Sequence, residues 1–255
     1  AKAPLAGATF TGQVNMSDDL VVTGNLTVNG DTTTVNSENK VIQDRFIMLC
    51  GQNNMKNYNL NITEDKITIS DFANTRYRKH SLVMHVAETD VMKEFAKVVT
   101  QNGGDILEIG FGMAISANEI QTYNIKSHTI IEKHPEIYEI ACEWAKDKPN
   151  VTVLHGDWYH ILPVIGKKFD GIFHDTHRDI NKEAFPKLST KLANENCIMT
   201  MFNYGTKIKF PNTDVVKVKL KGEAKDYFDR EYFNIIYSHM VNGKWTSKNS
   251  KKNVI

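Results

Sequence analysis

The stretch from Asp105 to Ala114 constrains the fold of this chain more than any other part of the sequence. Its first five residues form a mostly apolar run that predicts a buried strand with an acidic residue, Glu108, inside it. Gly110 and Gly112 then predict a tight turn, and the residues that follow, as far as Ile120, predict a helix. A strand, a turn with two glycines and a helix form the start of a nucleotide-binding βαβ unit, because glycine lets a ligand lie against backbone that a Cβ atom would block.

From about residue 70 onward, helical and strand patterns alternate along the chain, which indicates a parallel sheet covered by helices on both faces. Beyond the first unit, helices are predicted at residues 83–99, 135–146 and 185–192, and strands at residues 128–131, 151–154, 169–174 and 197–202. Two β-rich segments, residues 215–220 and 232–237, predict a final antiparallel pair. We therefore predict an α/β fold with a Rossmann-like, seven-stranded and mostly parallel sheet.

Acidic residues follow three of the predicted parallel strands at the ends where such sheets bind ligands. Glu132 lies about twenty residues beyond the glycine turn, the distance from which a carboxylate can accept two ribose hydroxyls. Gly156, Asp157 and Trp158 follow the next strand, and a small residue, an acid and an aromatic ring suit a purine base. Asp175 follows the strand after that and should face the reacting centre. The alternatives are, respectively, a solvated glutamate, an ordinary turn and a helix N-cap.

Two details favour S-adenosylmethionine (SAM) over a dinucleotide as the bound nucleotide. The turn lacks a third glycine at the spacing typical of dinucleotide-binding turns, since position 115 is isoleucine. In addition, Glu108 lies inside the first strand, where SAM enzymes commonly place an acid. The sequence therefore predicts a SAM pocket at this end of the sheet, with S-adenosylhomocysteine as the product that leaves it.

Four phrases of the sequence resemble guanidinoacetate N-methyltransferase and its arginine methyltransferase relatives. They are Leu107-Glu-Ile-Gly-Phe-Gly-Met-Ala-Ile115, Ile130-Ile-Glu-Lys133, His155-Gly-Asp-Trp158 with Leu162-Pro163, and Phe169-Asp-Gly-Ile-Phe-His-Asp-Thr176. The first and last of these are characteristic of that group beyond SAM enzymes in general, and the resemblance covers residues 75–240 or so. It implies a class I SAM-dependent methyltransferase that acts on a guanidino or amine nitrogen.

The resemblance also implies roles for individual residues. With the strand-end residues, the predicted cofactor-binding set is Glu108, Gly110, Gly112, Met113, Glu132, Gly156, Asp157, Trp158 and Asp175. Glu88, in a stretch that resembles the family segment closing over the site, and Asp175 would hold the guanidino group and act as the catalytic residues. This chemistry is reasonable, because two carboxylates can orient a guanidinium by paired hydrogen bonds and one can accept its proton.

The acceptor end of the site departs from the family pattern. Ala87 and Asp90 replace an aromatic residue and a proline around the predicted catalytic acid. Asn203 and Tyr204 follow the fifth strand, where the family holds the carboxylate end of its substrate, and we predict that they contact the substrate. The acceptor therefore stays open among a small guanidino compound, an amine and an arginine side chain of a protein.

The first 70 residues differ from the rest, being rich in Thr, Asn, Val, Gly and Asp and lacking Trp. Residues 20–31 alternate β-forming residues with turn residues, which predicts strands separated by turns. Their apolar residues are too few to bury a core, so the segment is either a flexible leader or a stem stabilised by identical chains. Residues 4–14 and 22–37 resemble the repeats of bacteriophage tail-fibre proteins. That resemblance implies a homotrimeric stem and a location in the virion or the host cytoplasm.

Three parts of the chain are predicted: a β-rich stem at residues 1–70, a methyltransferase domain at residues 71–245, and a disordered polar tail at residues 246–255. The alternative to an enzyme is a virion structural or adhesion protein that retains the fold without turnover. The predicted stem does not distinguish an enzyme from a structural protein, because either could carry it.

Charge and residue spacing argue against binding to nucleic acid, a membrane or a metal ion, and against a disulfide framework. With 31 basic and 30 acidic side chains, the chain offers no electrostatic reason to expect nucleic acid or a membrane as a partner. No apolar run reaches the ~18 residues of a membrane span. The cysteines fit neither a disulfide framework nor a metal site, and the histidines lack the spacing of a metal site, so we predict no metal. These residues are Cys50, Cys142, Cys197, His155, His160, His174 and His177.

Overall fold

Two β-sheets and six α-helices make up the described structure. The strands are β1 (Phe46–Met48), β2 (Tyr58–Ile62), β3 (Lys66–Asp71), β4 (Ser81–His85), β5 (Asp105–Ile109), β6 (Ser127–Glu132), β7 (Val151–His155), β8 (Phe169–His174), β9 (Ala193–Met201), β10 (Asp214–Lys219), β11 (Tyr232–Val241) and β12 (Lys244–Thr246). The helices are α1 (Thr89–Val99), α2 (Ile115–Ile120), α3 (Pro135–Ala145), α4 (Trp158–Ile161), α5 (Phe185–Leu192) and α6 (Gly222–Phe228), and a 3-10 turn, Val86–Glu88, precedes α1. The computed structural model describes residues 46–48, 58–71, 81–176, 184–202 and 212–248. None of the described helices is long and apolar enough to cross a membrane.

The strand order of the larger sheet is β1-β7-β6-β5-β8-β9-β11-β10, with β12 paired to β11. Neighbours from β1 to β9 run parallel, whereas β11 runs antiparallel to β9, β10 and β12. The seven strands from β7 to β10 match the predicted sheet with its antiparallel end, so the predicted α/β fold is confirmed. The strand order reverses at β5, because β6 and β8 lie on its opposite sides, and such a switch point places a crevice at the carboxyl ends of these strands.

β5 lies in the middle of this sheet and is buried along its whole length. Ile106 packs into a cluster with the apolar face of α1, whereas Leu107 and Ile109 belong to a cluster on the other face. Gly171 on β8 allows α1 to come close, since a Cβ atom there would lie 2.2 Å from the backbone oxygen of Val99. Burial on both faces explains why the sequence of β5 is an apolar run and not an alternation.

The start of the helix predicted at residues 83–99 is wrong. Ser81–His85 forms β4, and α1 begins only at Thr89. β4 pairs with β3 in the three-stranded sheet, with Met84 opposite Ile67, so its backbone groups are satisfied by a neighbouring strand. Five residues are too few for a strand pattern to be separated from a helical one by periodicity alone.

A capping box marks the change from β4 to the 3-10 turn. The backbone N–H of Ala87 donates to Nδ1 of His85, and the backbone N–H of His85 donates to Oε1 of Glu88, each at 3.1 Å. Beyond the turn, Val91 and Phe95 are fully buried and form part of the apolar face of α1. The capping box therefore ties Glu88 to the point where the strand enters the helix.

Most of the predicted stem, residues 1–45 and 49–57, lies outside the described residues, as do residues 249–255 of the predicted tail. The described strands before residue 66 pair with later parts of the chain: β1 runs parallel to β7, and β2 pairs with β3. All described residues fall within one compact unit, Asp44–Ile255. Strand pairing thus extends to the N-terminal side of the predicted boundary at residue 70, and the division into stem and domain stays a prediction.

Candidate active site

The two glycines after β5 bring three parts of the chain together at the carboxyl end of the sheet. Gly110 has a φ of +91°, and a Cβ atom on it would lie 1.9 Å from the backbone oxygen of Asp175. Gly112 has a φ of +54°, and a Cβ atom on it would lie 2.5 Å from Sδ of Met84. Both positions need glycine for conformation and for space. The predicted turn is present, with the end of β8 on one side and β4 on the other.

Glu108 lies beneath this turn and is fully buried. The hydroxyl of Ser116 on α2 donates to its Oε1, and its Oε2 lies 2.9 Å from Nε2 of His128 on β6. Both side chains are fully buried, so this short contact links β5 and β6 beneath the turn. Glu108 therefore joins α2 to β6, and this position favours a supporting role over the predicted contact with a cofactor.

Glu132 ends β6 and remains 7% exposed. Its Oε2 accepts the backbone N–H of Phe111 in the glycine turn at 2.9 Å, and its Oε1 accepts the backbone N–H of His134 at 2.7 Å. Burial raises the pKa of Glu132, and the backbone donors oppose that rise. These donors include the backbone N–H groups of Gly112 and Lys133 as well as those of Phe111 and His134. The structure therefore holds this acid beside the glycine turn, and its binding of ribose hydroxyls stays a prediction.

The loop after β7, which contains Gly156 and Asp157, is held in place by hydrogen bonds within the protein. The backbone N–H of Gly156 donates to the carbonyl oxygen of Glu132 at 2.9 Å, which ties the loop to the end of β6. Asp157 is the N-cap of α4: its Oδ1 accepts the backbone N–H of Tyr159 at 3.0 Å. Its Oδ2 lies 2.8 Å from Nζ of Lys133. Each carboxylate oxygen of Asp157 thus has one protein partner, and the capping bond fixes this side chain at the start of α4.

The position of Trp158 corrects its predicted role. The side chain is only 4% exposed and belongs to the core beneath the sheet. Its ring packs edge-to-face on His174 and Phe185, with centroid distances of 5.1 and 5.7 Å. The first residue of α4 points inward, so the ring cannot serve as the stacking surface for a purine that the sequence predicted.

Glu88 lies in the 3-10 turn before α1 and is 5% exposed. Its Oε1 accepts two hydrogen bonds, from the hydroxyl of Tyr227 at 3.0 Å and from the backbone N–H of His85 at 3.1 Å. Within the described part of the chain, no donor reaches Oε2. Burial raises the pKa of Glu88 to about 7, although both hydrogen bonds act in the opposite direction. A carboxyl group with a pKa near neutrality and an open oxygen can accept a proton at physiological pH.

The remaining predicted residues fall partly inside and partly outside the described structure. The backbone N–H of Asp175 donates to the carbonyl oxygen of Ile109 at 2.8 Å, and its side chain is partly exposed beside the glycine turn. Met113, also partly exposed, donates its backbone N–H to Sδ of Met84 at 3.2 Å. Asn203 and Tyr204 lie outside the described residues.

Two residues at the site had no role in the sequence prediction. Met84 belongs to the stretch that resembles the family segment, yet its contact with the glycine turn depends on how β4 folds over that turn. Tyr227 lies 139 residues from Glu88, on a helix that the sequence did not predict. No sequence motif links Tyr227 to Glu88. The contact between them could have been predicted only if the packing of α6 on the 3-10 turn had been known.

Comparison with protein families gives one match that covers more than half of the chain. A family model described as guanidinoacetate N-methyltransferase matches residues 68–216. This range includes Glu88, the glycine turn, Glu132 and Asp175.

Similar proteins include enzymes named protein arginine N-methyltransferase 2. The one from Candida glabrata is 30% identical over 212 residues, covering 71% of this chain and 50% of that protein. The one from Aspergillus oryzae is 39% identical over 99 residues, covering 37% of this chain and 24% of that protein. The chain therefore spans half or less of the length of these curated relatives. Among solved structures, N-methyltransferase NodS from Bradyrhizobium japonicum WM9 aligns with a TM-score of 0.47 at 14% identity, over 61% of this chain and 97% of that chain.

Proposed function

The chain belongs to the guanidinoacetate N-methyltransferase family and is a SAM-dependent methyltransferase, and on this premise we propose that it transfers a methyl group to a nitrogen of a guanidino group. The observation that carries the proposal is the state of Glu88. This carboxyl group is buried, has a pKa of about 7, and holds both of its described hydrogen bonds on one oxygen. The other oxygen is free, within the described residues, to meet the acceptor.

The residues around the glycine turn fit SAM. Glu132 is held by backbone groups beside the turn, where its carboxyl group would meet the two ribose hydroxyls. Gly110, Gly112 and Met113 would hold the cofactor from the turn, and the backbone from Gly156 to Trp158 would face the base. When bound, SAM supplies a methyl group activated by a positively charged sulfur.

The acceptor nitrogen needs help from the protein, because a guanidinium is cationic, with a pKa above ~12, and a cationic nitrogen is a poor nucleophile. Asp175 would pair with the positive charge and orient the planar group. Oε2 of Glu88 would accept the proton that the nitrogen loses, which is a general-base role. Placement of the acceptor and of these charges would provide most of the remaining rate enhancement.

The acceptor class extends from small guanidino compounds to arginine side chains. The matching family model is described by a small guanidino compound, whereas the curated relatives are named for protein arginine. We propose a guanidino nitrogen in one of these two settings, with an amine as the alternative acceptor.

A transfer assay with methyl-labelled SAM tests the proposal on guanidinoacetate, free arginine, an arginine-containing peptide and a primary amine. We expect label on a guanidino acceptor. Asp175→Asn should lower transfer by about 10²-fold or more, because the charge pairs with the acceptor, and should leave binding of S-adenosylhomocysteine nearly intact in calorimetry. Asp147→Asn, an exposed residue beyond α3, is the matched control. Absence of label on all acceptors, or equal loss of binding and transfer in Asp175→Asn, would contradict the proposal.

We further propose that the part of the predicted stem that precedes Asp44 forms a homotrimeric, fibre-like stem that places the chain on a phage virion or in the host cytoplasm. The support is the repeat pattern of the sequence alone. Light scattering tests it: the full chain should be trimeric and a chain that begins at Asp44 should be monomeric. If the chain instead were a virion adhesion protein without turnover, it would bind S-adenosylhomocysteine yet label no acceptor in the assay above.

A further inference from the structure

Helix α6 contacts the 3-10 turn that carries Glu88, although the two lie far apart in the sequence. It connects β10 and β11, and its Tyr227 donates its hydroxyl to Oε1 of Glu88 at 3.0 Å. The ring of Tyr227 also stacks on the imidazole of His85, with a centroid distance of 5.2 Å and an interplanar angle of 19°. Tyr227 therefore contacts both members of the capping box that begins the 3-10 turn, one through its hydroxyl and one through its ring.

In the described part of the structure, few polar or charged groups lie near the contact between Tyr227 and Glu88. The groups that face Glu88 are the Tyr227 hydroxyl from α6 and the backbone N–H of His85. Glu223, one turn earlier on α6, lies with Oε1 3.8 Å from Nδ1 of His85. Because Nδ1 accepts the backbone N–H of Ala87, it carries no proton, and this separation is not a hydrogen-bonded ion pair. Within the described residues, Tyr227 is thus the side-chain donor to Glu88.

Both hydrogen bonds to Glu88 fall on Oε1, because His85 and Tyr227 approach this oxygen from two different elements. The backbone N–H of His85 alone would allow the carboxyl group to rotate about its last bond. A second donor on the same oxygen, approaching from a different helix, restricts that rotation and leaves Oε2 without a donor among the described residues. The orientation of the open oxygen therefore depends on a residue outside the matched family range, residues 68–216.

We propose that Tyr227 is a positioning residue for methyl transfer, whose hydroxyl holds Oε1 of Glu88 so that Oε2 faces the acceptor. This inference rests on the proposed role of Glu88 as the proton acceptor. The same hydrogen bond also favours the charged form of the carboxyl group, since a donor to a carboxylate stabilises it. Removal of the hydroxyl should consequently make Glu88 harder to ionise.

An NMR titration tests this without any need for turnover. The carboxyl carbons of glutamate are labelled with ¹³C in the full chain, and Glu88→Gln assigns the Glu88 signal. Tyr227→Phe should raise the titration midpoint of Glu88 by about one pH unit, a tenfold change in its acid constant. Tyr232→Phe is the matched control, because it makes the same change at an exposed position at the start of β11, beneath Lys217. An unchanged midpoint in Tyr227→Phe would overturn the proposal.

Kinetics provide the second test. The acid limb of the pH profile of kcat/KM for the acceptor should move to higher pH in Tyr227→Phe, with about tenfold less activity near pH 6.5. Binding of S-adenosylhomocysteine should not change. In a Glu88→Gln background, Tyr227→Phe should have no further effect on transfer, since the hydroxyl acts through Glu88. Equal, additive losses in the two backgrounds would show a general structural role and contradict positioning.

The two proposals can fail separately. If the wild-type chain labels no guanidino acceptor, the proposed function fails, while the NMR midpoints still decide whether Tyr227 controls Glu88. If transfer occurs but the midpoint and the pH profile of Tyr227→Phe match those of the wild type, the function stands and the positioning role of Tyr227 fails.

Discussion

Glu132 and Glu88 are two buried carboxyl groups of the candidate site that differ in what they leave open for a ligand. Glu132 accepts one backbone N–H on each oxygen, at 2.9 and 2.7 Å. Glu88 accepts both of its bonds on Oε1, one from a backbone N–H and one from a side chain. Burial raises the pKa of both groups. The difference teaches that similar burial can accompany two arrangements: donors on both oxygens of Glu132, and donors on one oxygen of Glu88 among the described residues.

The donors of the two groups also differ in their distance along the chain. Glu132 is held by Phe111 in the glycine turn and by His134, two residues away. Glu88 is held by His85, three residues away, and by Tyr227, 139 residues away. The orientation of Glu132 thus depends on neighbouring strands of one sheet, whereas that of Glu88 also depends on the docking of α6.

The largest effect should come from Glu88→Gln. Glutamine keeps a carbonyl oxygen for the two donors and places its NH₂ group at the open position, so the fold should be retained while the proton acceptor is lost. We expect transfer to fall by about 10²–10⁴-fold and the unfolding free energy at pH 5 to stay within about 0.5 kcal/mol of wild type. Steady-state kinetics and urea denaturation measure the two quantities. Glu94→Gln on α1 is the control, and a transfer rate like that of wild type would rule out the assigned role.

The same substitution at the other carboxyl group should have a smaller and different effect. In Glu132→Gln the NH₂ group must point at a backbone N–H whichever way the amide is turned, because both oxygens accept backbone donors. We expect a loss of about 1–3 kcal/mol in unfolding free energy, together with weaker binding of S-adenosylhomocysteine, in urea denaturation and calorimetry. Glu136→Gln, exposed on α3, controls for the change of charge. If Glu132→Gln were as stable as Glu88→Gln, the contrast between the two carboxyl groups would be lost.

The last effect, similar in size to that of Glu132→Gln, concerns the dependence of stability on pH. The folded-state pKa of Glu88, about 7, exceeds its ordinary value of 4.5, so this group stabilises the fold when protonated. That contribution is fully present below pH 4.5 and is lost as the pH rises through 7. Relative to Glu88→Gln, the wild type should therefore lose about 1–3 kcal/mol of unfolding free energy across this window. Urea denaturation of both proteins at a series of pH values measures the difference, in which the titration of Glu132 cancels. A difference that does not change with pH would contradict the raised pKa.

Local patterns were sufficient to predict most of the fold. The apolar run of β5, the turn at Gly110 and Gly112, and the alternation of later strands and helices all appear in the structure. The start of α1 was mistaken because Val83 and Met84 fit a helical period as well as a strand, and only the pairing of β4 with β3 decides between them. α6 was missed because a seven-residue helix between two strands leaves a weak periodic signal.

The candidate site was predictable to the extent that it depends on strand order. Glu132 ends β6 and Asp175 follows β8, the two strands on either side of β5. Their positions beside the glycine turn therefore follow from the topology. Trp158 and Glu108 were placed correctly along the chain but not in space, because a residue type does not tell whether a side chain points into the crevice or into the core.

The sequence by itself determined the sheet, the glycine turn and the acids at the strand ends, because hydrophobic periodicity and turn residues act over a few positions and parallel strands place their carboxyl ends together. Only the tertiary structure decided that Trp158 is buried, that Glu108 joins α2 to β6, and that Tyr227 holds one oxygen of Glu88. These outcomes depend on the packing of segments far apart in the chain, and the free energy of such contacts is set by the geometry of both partners together.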